Sequence, residues 1–107
     1  MYRFNRNNKN YPNLTRAVTN AISEKRKELK YSQEFLAEAC DITRNCVQQL
    51  ECYEHIPDIT TLFKLFEALG FSEEETTVFI LKAREAFRTD IILQKERNER
   101  YVPLPSR

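Results

Sequence analysis

Apolar residues first fall into a helical rhythm at Leu14, Ala17, Val18, Ala21, Ile22 and Leu29. Spacings of three, four and seven put them on one stripe, the buried face of an amphipathic helix. Ahead of it, Met1 to Pro12 is rich in asparagine and arginine, has no such rhythm, and reads as a flexible arm. Ser32 stands directly before Gln33-Glu34-Phe35-Leu36-Ala37-Glu38-Ala39-Cys40. A serine oxygen there accepts a free backbone N–H, and an acidic first turn suits the helix dipole, so a second helix begins at Gln33. After Asp41-Ile42, Thr43 caps a short third helix ending near Glu51, with Val47 and Leu50 on one face. Asp58 caps a fourth over Ile59 to Leu69, whose stripe is Leu62, Leu65, Phe66 and Leu69. Gly70, the one glycine, follows where a left-handed residue ends a helix. Ser72-Glu73-Glu74-Glu75 is a capping box, and the fifth helix it opens runs to about Arg97 or Arg100. Tyr101 to Arg107 carries two prolines and is expected to be extended or disordered.

Composition sharpens this into a fold class. One glycine and four prolines in 107 residues leave almost nothing from which to build β-hairpins or phosphate-cradling loops. The expectation is an all-α fold of five helices in one compact domain. Its organisation reads as an arm (1–12), a core domain (13–71), a long C-terminal helix (72–100) and a tail (101–107). No apolar run approaches the roughly 20 residues that cross a bilayer, and the arm holds no apolar signal core, so a cytoplasmic location without membrane contact is expected. Cys40, Cys46 and Cys52 are odd in number and six apart, which suits neither a disulfide framework nor a zinc site. They read as reduced thiols packed like small hydrophobes, with a redox or metal role the lesser alternative.

Two short helices joined tightly, with one helix before and others after, have the element lengths of a helix-turn-helix domain. The third helix must cross close over the second, and Ala37 supplies the small residue needed there. The sequence Ser32-Gln33-Glu34-Phe35-Leu36-Ala37-Glu38 resembles the "SQEELAE" of the lambda-repressor-like, Cro- and Xre-type helix-turn-helix family. Leu50-Glu51, Pro57 and Leu62 to Gly70 follow that family's continuation in order and spacing. The resemblance covers about Ala21 to Ser72. Two positions depart from it: Asp41 replaces the turn glycine, which aspartate tolerates, and Tyr53 replaces the glycine after the third helix, so that loop should take another path.

The resemblance implies sequence-specific binding of double-stranded DNA, with the third helix in the major groove. Arg44, Asn45, Gln48 and Gln49 would then read bases, since arginine pairs with guanine O6 and N7 and the amides with adenine N6 and N7. Gln33 matches the position that clamps a phosphate. Ser32, Lys30, Thr43 and Thr60 would be neighbouring backbone contacts, as helix N-termini favour anions. The implied role is a transcriptional regulator, a repressor of bacterial, phage or mobile-element genes.

Charge complicates this. Residues 1–30 carry +6, residues 31–80 carry −8 and residues 81–107 carry +3, so the reading helix sits in an acidic segment. Phosphate contacts supply affinity through counterion release. Help from Arg3, Arg6 and Lys9 in the arm, and from a second copy, is therefore expected. The fifth helix is more apolar than one packed face requires, and Phe79, Ile80, Phe87, Ile91 and Ile92 are the candidate dimerisation residues. The alternative is that this helix folds back over the first and fourth.

No enzyme is expected: His55, the one histidine, has no nucleophile, metal set or phosphate loop around it and reads as an exposed loop residue. No cofactor is implied. The competing function is a protein-interaction module, antitoxin-like or a regulatory adaptor, whose acidic middle meets a basic partner.

Overall fold

The first helix begins at Pro12, two residues before its apolar stripe, because proline needs no N–H in the first turn and brings a helical φ with it. The structure, a computed structural model, describes residues 11–52 and 55–101, the last four as backbone only. Residues 1–10 of the expected arm, Tyr53, Glu54 and the tail beyond Tyr101 lie outside the described residues, while Pro12, read as the end of the arm, is the first residue of the first helix. The described residues form α1 (Pro12–Glu28), α2 (Gln33–Cys40), α3 (Arg44–Glu51), α4 (Ile59–Ala68) and α5 (Glu73–Tyr101). The all-α, five-helix expectation holds.

Helix starts follow the predicted caps. The Ser32 hydroxyl accepts from the Phe35 N–H, Thr43 from that of Cys46 and Asp58 from that of Thr61, at 2.8–3.0 Å. Ser72 and Glu75 complete a reciprocal capping box. Helix α1 is different: no local side chain caps it. The carboxylate of Asp90, far along α5 and 1% exposed, accepts from the Asn13 N–H (3.1 Å), the Asn13 side-chain amide (2.9 Å) and the Leu14 N–H (2.8 Å). One buried anion thus satisfies two orphan donors at a helix N-terminus, where the dipole also favours it.

Three helices end in one way. Lys30 (φ 62°), Asp41 (φ 57°) and Gly70 (φ 67°) are left-handed, and the residue after each donates back into the last turn. After α4 the Phe71 ring also packs on Phe66, centroids 5.1 Å apart. Asp41 does what the turn required without glycine. Lys30 carries a side chain in a conformation that costs a non-glycine residue about 1 kcal/mol. Lys30→Gly should therefore raise the unfolding free energy by up to about 1 kcal/mol, read from urea midpoints. A midpoint that falls instead would show that the lysine stem contributes more than its backbone costs.

The core joins Val18 and Ile22 of α1 with Leu36, Ala37, Val47, Leu50, Leu65, Phe66 and Leu69. Ala37 is buried, as the close α2–α3 crossing requires. Cys40 packs in the same core, where burial pushes its thiol pKa up.

Helix α5 runs antiparallel along α1. Asp90 meets α1's first turn, and Glu75 pairs with Lys25 near its last, at 2.7 Å. The inner face of α5 is Phe79, Ala83, Ala86 and Asp90, spaced four, three and four. Phe79 is 6% exposed and meets Phe66 and Phe71 edge-on, at 5.0 and 5.9 Å. It is core, which corrects its expected place on a dimer face: the α4–α5 turn folds the start of α5 onto α4. Phe87 is partly engaged too, stacked on Tyr11 at 5.4 Å. At 29 residues α5 is about 43 Å long against about 25 Å for α1, so it overhangs. His55 corrects a second expectation. It is 2% exposed, drawn under the α3–α4 connection together with buried Pro57.

Candidate nucleic-acid interface

Helix α3 is held from one side. Val47 and Leu50 are buried, which turns Arg44, Asn45 and Gln48 to the exposed side, with Gln49 half-buried at its edge. The first turn of α2 also reaches both ends of the helix. Glu34 lies 4.0 Å from Arg44 at the start of α3, and Gln33 donates its amide to Glu51 at the end of α3, at 2.9 Å. Gln33 and Ser32 therefore sit beside the candidate reading helix. The start of α4 is near as well: the Cys46 thiol, raised first by burial, is raised further by the Asp58 carboxylate. Lys30, Ser32, Thr43 and Thr60 are all exposed next to helix starts, Lys30 and Ser32 before α2, Thr43 at α3 and Thr60 in the first turn of α4.

The Arg44–Glu34 pair is exposed on both sides and contributes little, so Arg44 can leave it for a stronger acceptor. Arg26 behaves otherwise. Its guanidinium makes two parallel bonds to Glu51, at 2.6 and 3.0 Å, and a third to the Tyr31 carbonyl at 2.7 Å. The pair is nearly closed to solvent, with side chains 12% and 8% exposed. Burial works to raise the Glu51 pKa, but the bonds from Arg26 and Gln33 outweigh it and hold the carboxyl below its ordinary value. This network links α1, the α1–α2 turn, α2 and α3, and so fixes the angle at which α3 is presented.

Sequence reading missed both this network and the Asp90 cap. A signal was present: Arg26 falls four residues after Ile22 on the apolar stripe of α1, and Asp90 falls in phase with Phe79, Ala83 and Ala86. A charge on a buried stripe marks a partner to be found.

A model of the helix-turn-helix family matches residues 22–75. The chain belongs to the lambda-repressor-like helix-turn-helix family. No curated protein and no solved structure gave a match. Membership supports a DNA-binding, regulatory role rather than an enzymatic one. The matched part of this helix-turn-helix protein includes the Arg26–Glu51 network and all of α3, but stops at the first turn of α5. Among the described residues no helix is long and apolar enough to cross a membrane.

Proposed function

We propose that this protein is a sequence-specific transcriptional regulator, a repressor of bacterial, phage or mobile-element genes, acting in the cytoplasm as a homodimer on double-stranded DNA. The observation that carries the reading is the exposed face of α3: three polar side chains, Arg44, Asn45 and Gln48, on a helix locked by Val47, Leu50 and the Arg26–Glu51–Gln33 network. Rigid presentation matters because base readout depends on bidentate geometry. Arg44, Asn45, Gln48 and Gln49 read base edges; Ser32, Gln33, Thr43, Thr60 and Lys30 hold phosphates. Gln33 keeps one amide hydrogen for a phosphate while the other stays on Glu51. Residues ahead of Tyr11 act as a basic arm, and the chain from Tyr11 and Pro12 to residue 71 acts as the reading domain.

Binding to DNA upstream of the protein's own gene, titrated over a salt series, tests this. Arg44→Ala and Asn45→Ala should each weaken specific binding about ten- to a hundredfold. Lys30→Ala should weaken binding to all sequences alike and make the salt slope shallower by about one. The absence of any specific complex at low salt, with Arg44→Ala and Asn45→Ala indistinguishable from the parent, overturns the reading. It would favour a protein-interaction module instead, which the −8 charge of residues 31–80 and the exposed Glu34 and Glu38 on α2 suit.

A further inference from the structure

A groove follows the seam between α1 and α5 on the side away from α3. Arg26 reaches Glu51 on α3, whereas Glu24, two residues earlier and so on the opposite side of α1, opens onto the groove. Ala17, Ala21 and Ala86 line the seam with small side chains, and Lys82 borders both of its halves. The half near the start of α5 encloses about 420 Å³ over an apolar floor of Phe71, Val78 and Phe79. Its rim carries four carboxylates, Glu24, Glu28, Glu74 and Glu75, against Lys25 and Lys82. Lys25 is already engaged by Glu75 and Glu28. Glu24 and Glu74 are exposed and take part in no ion pair among the described residues. The other half, near the start of α1, is polar and carries Glu85. An apolar floor inside an acidic rim fits an extended segment that offers a bulky apolar side chain between cations.

The chain itself carries such a segment beside the groove. Tyr2-Arg3-Phe4-Asn5-Arg6 sets two aromatic residues among two arginines, and Asn7, Asn8 and Lys9 follow. We infer that the groove is the seat of this basic arm, which runs back along α1 of its own chain. Phe4 rests on the Phe71–Val78–Phe79 floor, Arg6 meets Glu24, Arg3 meets Glu74, and Lys9 meets Glu85. The reach agrees. Once two residues have rounded the start of α1, the extended chain from Lys9 to Phe4 spans about 17 Å. Along α1 the distance from Asn13 to Glu24 is also about 17 Å. The order agrees as well: the aromatic and arginine residues come to the apolar, acidic half, and the asparagines to the polar half. A basic segment of another protein would have to displace one that its link to α1 holds at high effective concentration. Because the groove lies behind α1, an arm seated there is out of reach of DNA held by α3, and binding DNA with the arm requires its release. That last step rests on the DNA reading; the seat itself is tested without DNA.

The sequence contains no tryptophan, so Phe4→Trp gives the full chain a single fluorescent reporter of the seat. Its emission should lie to the blue of that of the same protein in urea, by the same amount at every protein concentration. Glu24→Lys with Glu74→Lys should move the emission to the water-exposed position, and so should Arg3→Glu with Arg6→Glu. All four charge reversals together should restore the blue shift, which also shows that the reversed proteins fold. Emission equal to that of the unfolded protein overturns the proposal. So does a blue shift that survives either pair of reversals, one that grows with protein concentration and so belongs to a second copy, or a failure of the fourfold variant to recover. DNA from upstream of the protein's own gene should then shift the emission to the red as the arm leaves. A seated arm that DNA leaves in place would count against the arm's share in DNA reading and not against the groove.

Discussion

Asp90→Ala should lower the unfolding free energy by about 3 kcal/mol, with a fall in Tm of about 15 °C. The carboxylate, itself 1% exposed, accepts from two backbone amides and one side-chain amide of the half-buried Asn13 and Leu14. Removing it strands the Asn13 and Leu14 N–H groups, and each buried donor left without a partner costs about 1–3 kcal/mol. The lost interaction with the positive end of α1 adds to this. Asp90→Asn keeps the shape and one acceptor and should lose about half as much. Urea unfolding of the three proteins decides it, provided the slopes agree. A loss below about 1 kcal/mol for Asp90→Ala would mean that solvent enters and replaces the carboxylate.

Glu51→Ala should cost more, about 4 kcal/mol, since it leaves the Arg26 guanidinium charged and nearly buried. Replacing Arg26 by Met and Glu51 by Leu together should cost less than Glu51→Ala alone, because no unpaired charge remains, although the Tyr31 carbonyl and Gln33 lose their partner. The pair also sets a pH dependence. A carboxyl held below its ordinary pKa in the folded state gives stability that is complete above about pH 4.3 and is lost as pH falls through the lowered native value. The gap between the parent and Glu51→Ala should therefore narrow as unfolding is measured from pH 7 down towards pH 3. A gap that stays constant would show that the carboxylate form is not what stabilises the fold. Because the network fixes how α3 sits on α2, specific DNA binding should fall by more than the folded fraction accounts for.

The helices were legible because their signals are local. Ser32, Thr43, Asp58 and the Ser72–Glu75 box each act within one turn, and the apolar stripes follow the helical period. Ala37 at the crossing and Asp41 in the turn were legible for the same reason. The polar face of α3 was read from its spacing against Val47 and Leu50; Arg44, Asn45 and Gln48 are exposed, whereas Gln49 is half-buried, which that spacing did not distinguish. What stayed hidden depends on distant pairing. His55 is buried by the way a loop folds back, which no period encodes. Arg26 and Glu51 are 25 residues apart, and Asn13 and Asp90 are 77 apart. Arg26 and Asp90 betray their burial only through the phase of their apolar neighbours. Phe79 erred in the opposite direction: an apolar residue on a crowded helix gives no sign of which neighbour it faces.

The Asp90 cap also sets an order of events during synthesis. Residues 22–75, the family part, leave the ribosome before Asp90 does. Until then the first turn of α1 has two amides with no acceptor, so the reading helix is made before the helix that supports it is finished. The nascent chain acquires its recognition surface first and its closure last, when α5 returns to the beginning. Any chain released short of residue 90 would carry the reading residues on an unlatched fold, and proteases that act on opened chains would remove it before it could compete for DNA.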